Sequence, residues 1–312
     1  MKISIVVPCF NEEKTVPLFF NEVEKFKEVH EFEYLFIDDG STDNTLQAIK
    51  QLSDTYDYVR FVSFSRNFGK EAALYAGLKA STGELITVMD VDLQDPPELL
   101  PVMIEKILST DIDCVGTRRS TREGEPALRS FFARRFYQLI NKISDTEMVD
   151  GARDYRLMTR QMVDAVLELT EYNRFSKGLF SWVGFKTEYI SFENRERVAG
   201  ETSWSFWKLF NYSIDGIVNF SDTPLTIASF VGAFSCVGSG IAILFIILRA
   251  LFFDDPTAGW PSMVSIILFI GGIQLLCLGI IGKYIGKIFL ETKQRPVYIV
   301  RETEKTKDLR KK

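Results

Sequence analysis

The residues best equipped for chemistry in this 312-residue chain lie in Asp90-Val91-Asp92-Leu93-Gln94-Asp95-Pro96-Pro97-Glu98. Two carboxylates one residue apart present hard oxygens of the kind that hold a divalent cation. An acidic turn closed by two prolines also suits a plain solvated loop, so the rest of the chain must decide. Other polar tips follow short apolar runs, at Asn11-Glu12 and at Asp38-Asp39-Gly40-Ser41-Thr42-Asp43. Arg153, Asp154 and Arg156 crowd into an otherwise small or apolar run, either as a structural ion-pair network or as a catalytic set. Arg195 and Arg197 fall in a polar loop, residues 195–203, with the charge to close over a phosphate.

Several common machineries are excluded. The single histidine, His30, sits among Glu28, Glu31 and Glu33 at an expected helix end, which removes histidine-based triads and histidine-rich metal sites. No G-x-G-x-x-G follows the first strand, and Gly69-Lys70 lacks the upstream glycine of a P-loop. An EF-hand starting at Asp90 fails at its sixth residue, Asp95, and at its twelfth, Pro101. A nucleotide bound here must be held by carboxylates on ribose and base, with a metal and arginines on its phosphates. The net charge of -5 leaves no electrostatic footprint for nucleic acid. Cys9, Cys114, Cys236 and Cys277 lie far apart with no C-x-x-C pair, as expected of reduced thiols in a cytosol-facing protein.

The elements that must position these residues read as alternating strands and helices. Ile3 to Pro8, Phe32 to Ile37, Val59 to Phe64, Leu85 to Val88 and Asp113 to Thr117 are compact apolar runs, and Lys186 to Phe192 is a last strand. Helices are expected up to about Val29, over Glu71 to Ala80 and over Arg129 to Ile143, the last with Arg134-Arg135 in its middle. Strands that are apolar throughout imply a mostly parallel sheet covered on both faces. Right-handed crossovers then bring Asn11, Asp39 and Asp90 to one sheet edge, where ligands bind in open α/β folds.

After about Ser203 the chain changes character. Trp207, Phe210, Ile214, Ile217 and Val218 recur at helical spacing, which predicts an interfacial amphipathic helix within residues 204–224. Leu225 to Leu248 carries no charge over 24 residues, about 36 Å as a helix. Ser262 to Gly282 is a second such run, so residues 225–287 are expected to hold two transmembrane helices. The basic residues after Gly282, against Asp254 and Asp255 between the runs, put both termini in the cytosol. Residues 288–312 read as a solvated, basic cytosolic tail, and residues 1–203 as the catalytic domain. The N-terminus enters a strand directly, so no signal peptide is expected.

In this order and spacing, Val6-Val7-Pro8-Cys9-Phe10-Asn11-Glu12-Glu13, Asp38-Asp39-Gly40-Ser41-Thr42-Asp43, Asp90 to Glu98, Arg153-Asp154-Tyr155-Arg156, the Arg197 loop and the two apolar runs resemble glycosyltransferase family 2. The resemblance is to its polyprenyl-phosphate glycosyltransferases and covers nearly the whole chain. It implies a GT-A fold: a Rossmann-like, mostly parallel α/β sheet with interfacial helices and a transmembrane hairpin. It implies that Pro8, Phe10, Glu12, Ile37 and Asp39 hold the nucleoside, with Asp39 on the base. Asp90 would sit near ribose and metal, Asp92 and Gln94 would complete the coordination of Mg²⁺ or Mn²⁺, and Arg118 and Arg197 would meet phosphates. Asp154, Asp92 and Arg156 are then the catalytic candidates, and Arg135, Arg156 and Ser203 the candidates for the acceptor phosphate. The family's lysine six residues after the loop arginine is replaced here by Ser203, with Lys208 as a possible substitute.

The resemblance further implies transfer of a sugar, glucose or another, from a UDP-sugar to undecaprenyl phosphate with inversion. UDP-GlcNAc and GDP-mannose stay open as donors. The protein is expected as a multi-pass protein of the inner (plasma) membrane, with its catalytic domain cytosolic and the lipid bilayer as a partner. Packing of such hairpins leaves room for a homo-oligomer. A processive synthase of the same fold is disfavoured, since no Arg-Trp pair occurs and two spans cannot enclose a polymer channel. A non-catalytic scaffold has no need for three polar tips on one sheet edge.

Overall fold

The computed structural model describes residues 1–27, 30–120, 127–144, 146–193, 206–252 and 259–306. Strands and helices alternate from the start: β1 (Lys2–Cys9), α1 (Thr15–Glu24), β2 (Glu31–Asp38), α2 (Thr45–Thr55), β3 (Val59–Phe64), α3 (Lys70–Ala80) and β4 (Leu85–Val88). There follow α4 (Leu99–Ser109), β5 (Cys114–Arg119), α5 (Ala127–Ile143), β6 (Ala152–Thr159), α6 (Arg160–Glu168), α7 (Ser176–Trp182) and β7 (Thr187–Phe192). The chain ends with α8 (Phe206–Phe220), α9 (Thr223–Phe252), α10 (Trp260–Thr292) and β8 (Val300–Thr303).

One eight-stranded sheet results, in the order β7-β5-β6-β4-β1-β2-β3-β8. β1 pairs in parallel with both β2 and β4, and β2 with β3, as the apolar runs predict. Both faces are covered, which is why these strands are mostly apolar on both faces and why the polar residues among them, such as Ser4 and Glu33, are buried with hydrogen-bond partners. Ile3, Ile5, Val7, Phe19, Phe36 and Phe61 fill one face, and Val6, Leu35, Ile37, Ala73, Leu74 and Val88 the other. Gly77 of α3 permits close packing there, since a Cβ would lie 2.2 Å from the Val6 side chain.

Two strands depart from the sequence expectation. β6 enters the sheet antiparallel to both β4 and β5, although its charges conceal it as a strand. β8 adds an antiparallel edge strand beside β3, so residues 300–303 belong to the sheet rather than to a solvated tail. Lys50 pairs with the buried Glu302 at 2.6 Å and Arg60 with Glu304 at 3.0 Å, fixing that strand by charge as well as by its backbone. The sheet therefore takes a strand from beyond the apolar helices.

Thr223–Ile246 and Met263–Thr292 are long and apolar enough to cross a membrane. Their large side chains face outward, with Phe234 82% exposed and Phe269 70% exposed, so no protein core covers them. α10 runs ten residues past the expected end of its span, and Lys287 in that extension pairs with Asp215 of α8 at 2.9 Å. The Glu291 carboxylate accepts the backbone N–H groups of Tyr172 and Asn173, each at 3.0 Å. At the other inner end, the Thr223 hydroxyl at the start of α9 donates to the Ile143 carbonyl of α5 at 3.3 Å, so both inner ends of the apolar hairpin are tied to neighbouring elements.

Candidate active site

The C-terminal ends of β1, β2 and β4 build the site by their parallel register. Cys9 stands beside Asp38, and the Asp39 N–H donates to the Cys9 carbonyl at 2.9 Å. Asn11 and Gly40 both take left-handed backbone, with φ of 56° and 67°. Only glycine fits at position 40, because a Cβ would meet the Arg66 backbone at 2.3 Å. The loops after β1, β2 and β3 therefore touch, and the Asn11 side-chain oxygen accepts the Thr42 N–H at 2.9 Å.

Asp39 is 4% exposed, and its two oxygens accept the N–H groups of Phe68 (2.6 Å) and Gly69 (2.9 Å). Burial pushes its carboxyl up, those two N–H bonds oppose the shift, and Asp38 adds to it. Asp39 thus anchors the loop that enters α3, and each oxygen keeps a lone pair for a further donor. Pro8 and Glu12 line the same edge half-buried, with Phe10 exposed between them. Ile37 is fully buried between the sheet and α3, which leaves its backbone as the part facing the loop that follows β2.

The antiparallel β4·β6 ladder makes the central feature. It ends at Val88 opposite Arg156, and Asp90, just past the end of β4, and Asp154 of β6 both reach the Lys70 ammonium. Like charges that converge in this way repel. Lys70, the first residue of α3, neutralises them, its Nζ lying 2.7 Å from Asp90 Oδ1 and 2.6 Å from Asp154 Oδ2. Burial works against that ammonium, but Asp154 and Asp90 together hold its pKa above the ordinary lysine value. Burial alone would raise the Asp154 carboxyl; Lys70, Lys177 and Arg156 outweigh it and keep the group well below the usual carboxylate range.

Arg153 bonds Asp95 at 2.8 Å and lies 3.8 Å from Asp90. Burial dominates at Asp95, and with Asp90 nearby its carboxyl is pushed up to about 6 despite Arg153. Asp95 Oδ2, Arg153 Nη2 and Arg156 Nε are buried without a hydrogen-bond partner among the described residues. Orphaned guanidinium donors of this kind suit anionic oxygens delivered by a ligand.

Asp92 is 7% exposed, and its Oδ1 accepts the Gln94 N–H at 3.1 Å. Between them Leu93 adopts φ 57°, a left-handed conformation that costs a branched residue about 1–3 kcal/mol. Strain held at that point shapes the turn carrying Asp92 and Gln94. No group of three or more His, Cys, Asp or Glu side chains among the described residues is placed to hold a metal by itself. Two carboxylates and an amide nevertheless fit a hard cation whose remaining ligands are waters and phosphate oxygens, as Mg²⁺ is commonly bound.

The other predicted residues divide. Arg156 is 3% exposed, stacks 4.0 Å over the Phe180 ring and donates to the Arg153 carbonyl at 3.1 Å. Arg118 pairs with Ala152, next to Arg153, and donates to Ser191 Oγ at 2.9 Å. Arg135 lies exposed on α5 and donates to Gln138 at 3.3 Å. Arg197 and Ser203 lie outside the described residues, as does the Lys208 side chain.

Sequence reasoning missed Lys70 and Lys177. Glu71, next to Lys70, accepts from both the backbone N–H and the hydroxyl of Ser176, which docks α7 against the start of α3. Lys177 then reaches the Ala152 carbonyl at 3.0 Å, and the next residue, Gly178, packs against the Phe220 ring at the end of α8. Two consecutive residues therefore join the charged cluster to the start of the apolar hairpin. A lysine directly after Gly69 was the available signal, but only its failure as a P-loop was legible. Cys9 and Cys114 are buried, and burial pushes both thiols up, so neither suits a nucleophile.

Residues 4–167 match the family model for glycosyl transferase family 2. CsbB of Bacillus subtilis (strain 168) is 45% identical over 302 residues, covering 96% of this chain and 91% of that protein. A bactoprenol glucosyl transferase of Shigella phage SfX is 43% identical, with 96% of this chain and 99% of the relative covered. A prophage bactoprenol glucosyl transferase homolog of Escherichia coli (strain K12) is also 43% identical, covering 98% of this chain and 100% of the relative.

Proposed function

The chain belongs to glycosyl transferase family 2, and from that premise we propose that it is a membrane-anchored inverting transferase moving glucose from UDP-glucose to undecaprenyl phosphate. The similarity over nearly the full length to relatives named bactoprenol glucosyl transferase supports the sugar and the carrier. The observation that carries the reading is the junction at α7, where Lys177 belongs to the charged cluster and Gly178 touches the helix leading into the apolar hairpin. An acceptor whose phosphate sits in that cluster can keep its hydrocarbon tail in the bilayer. α9 and α10 then cross the membrane, with the sheet domain on the cytosolic side.

In this assignment the exposed Phe10 ring and Asp39 receive the nucleoside. Asp90, Asp92 and Gln94 would hold a divalent cation, Mg²⁺ or Mn²⁺, which when bound would neutralise charge building on the departing diphosphate. The orphaned donors of Arg153 and Arg156, with Arg118 and Arg197, add positive charge at the phosphates. An acceptor phosphate has a second pKa near about 6 and is largely dianionic at neutral pH. One of its oxygens attacks the anomeric carbon while the bond from that carbon to the UDP oxygen breaks, giving inversion and releasing UDP. No strong base is required, and Asp154 is a poor one because its neighbours hold its carboxyl low. Its role is to fix Lys70 and to orient the acceptor.

A panel of UDP-glucose, UDP-GlcNAc and GDP-mannose offered to the purified full-length protein with undecaprenyl phosphate and Mn²⁺ tests the donor. Lipid-linked sugar is expected from UDP-glucose above the others. Product from GDP-mannose alone would refute the uridine assignment, and no product from any donor would refute the transferase reading.

A further inference from the structure

Lys70 occupies the place where a divalent cation would meet Asp90. Its ammonium lies 2.7 Å from Asp90 Oδ1, 3.0 Å from Asp90 Oδ2 and 2.6 Å from Asp154. Arg153 adds a second positive charge 3.8 Å from Asp90. A carboxylate contacted on both oxygens by an ammonium has little to offer a second cation, and two cations on one carboxylate repel. We propose that Lys70 is a built-in counter-ion that holds the metal position at Asp90 closed until a nucleoside diphosphate arrives, so that the metal enters with the nucleotide. The inference rests on the assignment of Asp90 as a metal ligand.

Three features of the fold equip Lys70 for this. Asp90, two residues beyond the last paired residue of β4, and Asp154, two residues before Arg156 on β6, converge on one ammonium, so the two carboxylates share a need for a cation there. The lysine side chain is 37% exposed, against 22% for Asp90 and 16% for Asp154. Its flexible stem therefore has a solvent-facing route away from Asp90 while one carboxylate, Asp154, still holds it. Lys70 also follows directly on Phe68 and Gly69, the two residues whose N–H groups bind Asp39. A base that engages Asp39 acts on the loop that sets the position of the ammonium. Gly69 takes φ 97°, so this entry into α3 depends on a backbone that few other residues adopt.

Binding of Mn²⁺ to the full-length protein in detergent, followed by the electron paramagnetic resonance of free Mn²⁺ with and without UDP, tests this independently of turnover. Wild-type protein is expected to bind Mn²⁺ weakly alone and more tightly with UDP. Lys70→Gln should tighten nucleotide-free binding by about tenfold or more, the scale of one unit charge removed from beside the site, and should shrink the enhancement by UDP. Lys70→Arg, which keeps the cation, should behave as wild type. If Lys70→Gln does not fold by circular dichroism, Lys70→Met carries the same comparison, since it keeps the aliphatic stem. A folded, charge-free variant that binds Mn²⁺ without nucleotide no more tightly than wild type would overturn the proposal, while loss of UDP-dependent Mn²⁺ binding in Asp90→Asn left the metal assignment standing. Unchanged Mn²⁺ binding in the presence of UDP in Asp90→Asn would overturn the metal assignment and this proposal with it.

Discussion

Glu33 offers a test of whether the two edges of the sheet have separate jobs. It lies at the N-terminal edge, 1% exposed, and accepts from Ser4 Oγ at 2.5 Å, Arg60 at 2.8 Å, Thr82 N at 3.0 Å and Lys2 at 3.1 Å. Burial raises its carboxyl, but the bonds from Ser4, Arg60 and Thr82 outweigh that and bring it from 4.5 down to about 2. A depressed carboxylate stabilises the fold above its unfolded pKa, and the contribution fades as pH falls through the folded one. The shift corresponds to roughly 3 kcal/mol at neutral pH, shrinking to about 1 kcal/mol near pH 3. Glu33→Gln should therefore melt well below wild type at pH 7 and approach it as pH falls toward 3. Thermal melts in detergent across that window measure the gap. The folded variant should keep wild-type nucleotide affinity, because no ligand is assigned to that edge. A gap independent of pH, or a loss of UDP binding, would refute the reasoning.

Two further perturbations address the turn after β4 and the C-terminal strand. Gln94→Leu should raise the Mn²⁺ concentration needed for half-maximal transfer by about tenfold, a loss of ~1.4 kcal/mol, with both carboxylates left in place; an unchanged metal titration would remove Gln94 from the ligand set. Deleting residues 300–312 should lower the melting temperature, since it strips β8 from β3 at ~1 kcal/mol for each backbone hydrogen bond lost and leaves Lys50 and Arg60 without Glu302 and Glu304. A purely solvated tail would leave the melt unchanged.

The parallel half of the sheet was legible because burial on both faces forces continuous apolar runs, as in Ile3 to Pro8 and Phe32 to Ile37. β6 was not, because Arg153, Asp154 and Arg156 break its hydrophobic pattern, and the site is what those charges serve. β8 escaped notice because an edge strand of four residues, with two of them exposed, carries almost no apolar signal. Asp39, Asp90 and Asp92 could be found from their position after strands, whereas their neutralisation could not. Lys70 faces Asp90 and Asp154 only because α3 returns across the sheet between β3 and β4, and no local spacing encodes that. Ile37 sits near the end of β2 with a side chain that the packing assigns to the core, which leaves its backbone for the nucleoside contact that the family pattern implies.

The most direct measurement is transfer of radiolabelled glucose from UDP-glucose to undecaprenyl phosphate by the purified full-length protein with Mn²⁺, alongside Asp92→Ala. Labelled lipid carrying a β-linked glucosyl phosphate is expected from wild type, with activity in folded Asp92→Ala reduced at least about a hundredfold, on the scale of losing one electrostatic stabiliser of the leaving group. An α-linked product, or full activity in Asp92→Ala, would contradict inverting transfer at this carboxylate edge.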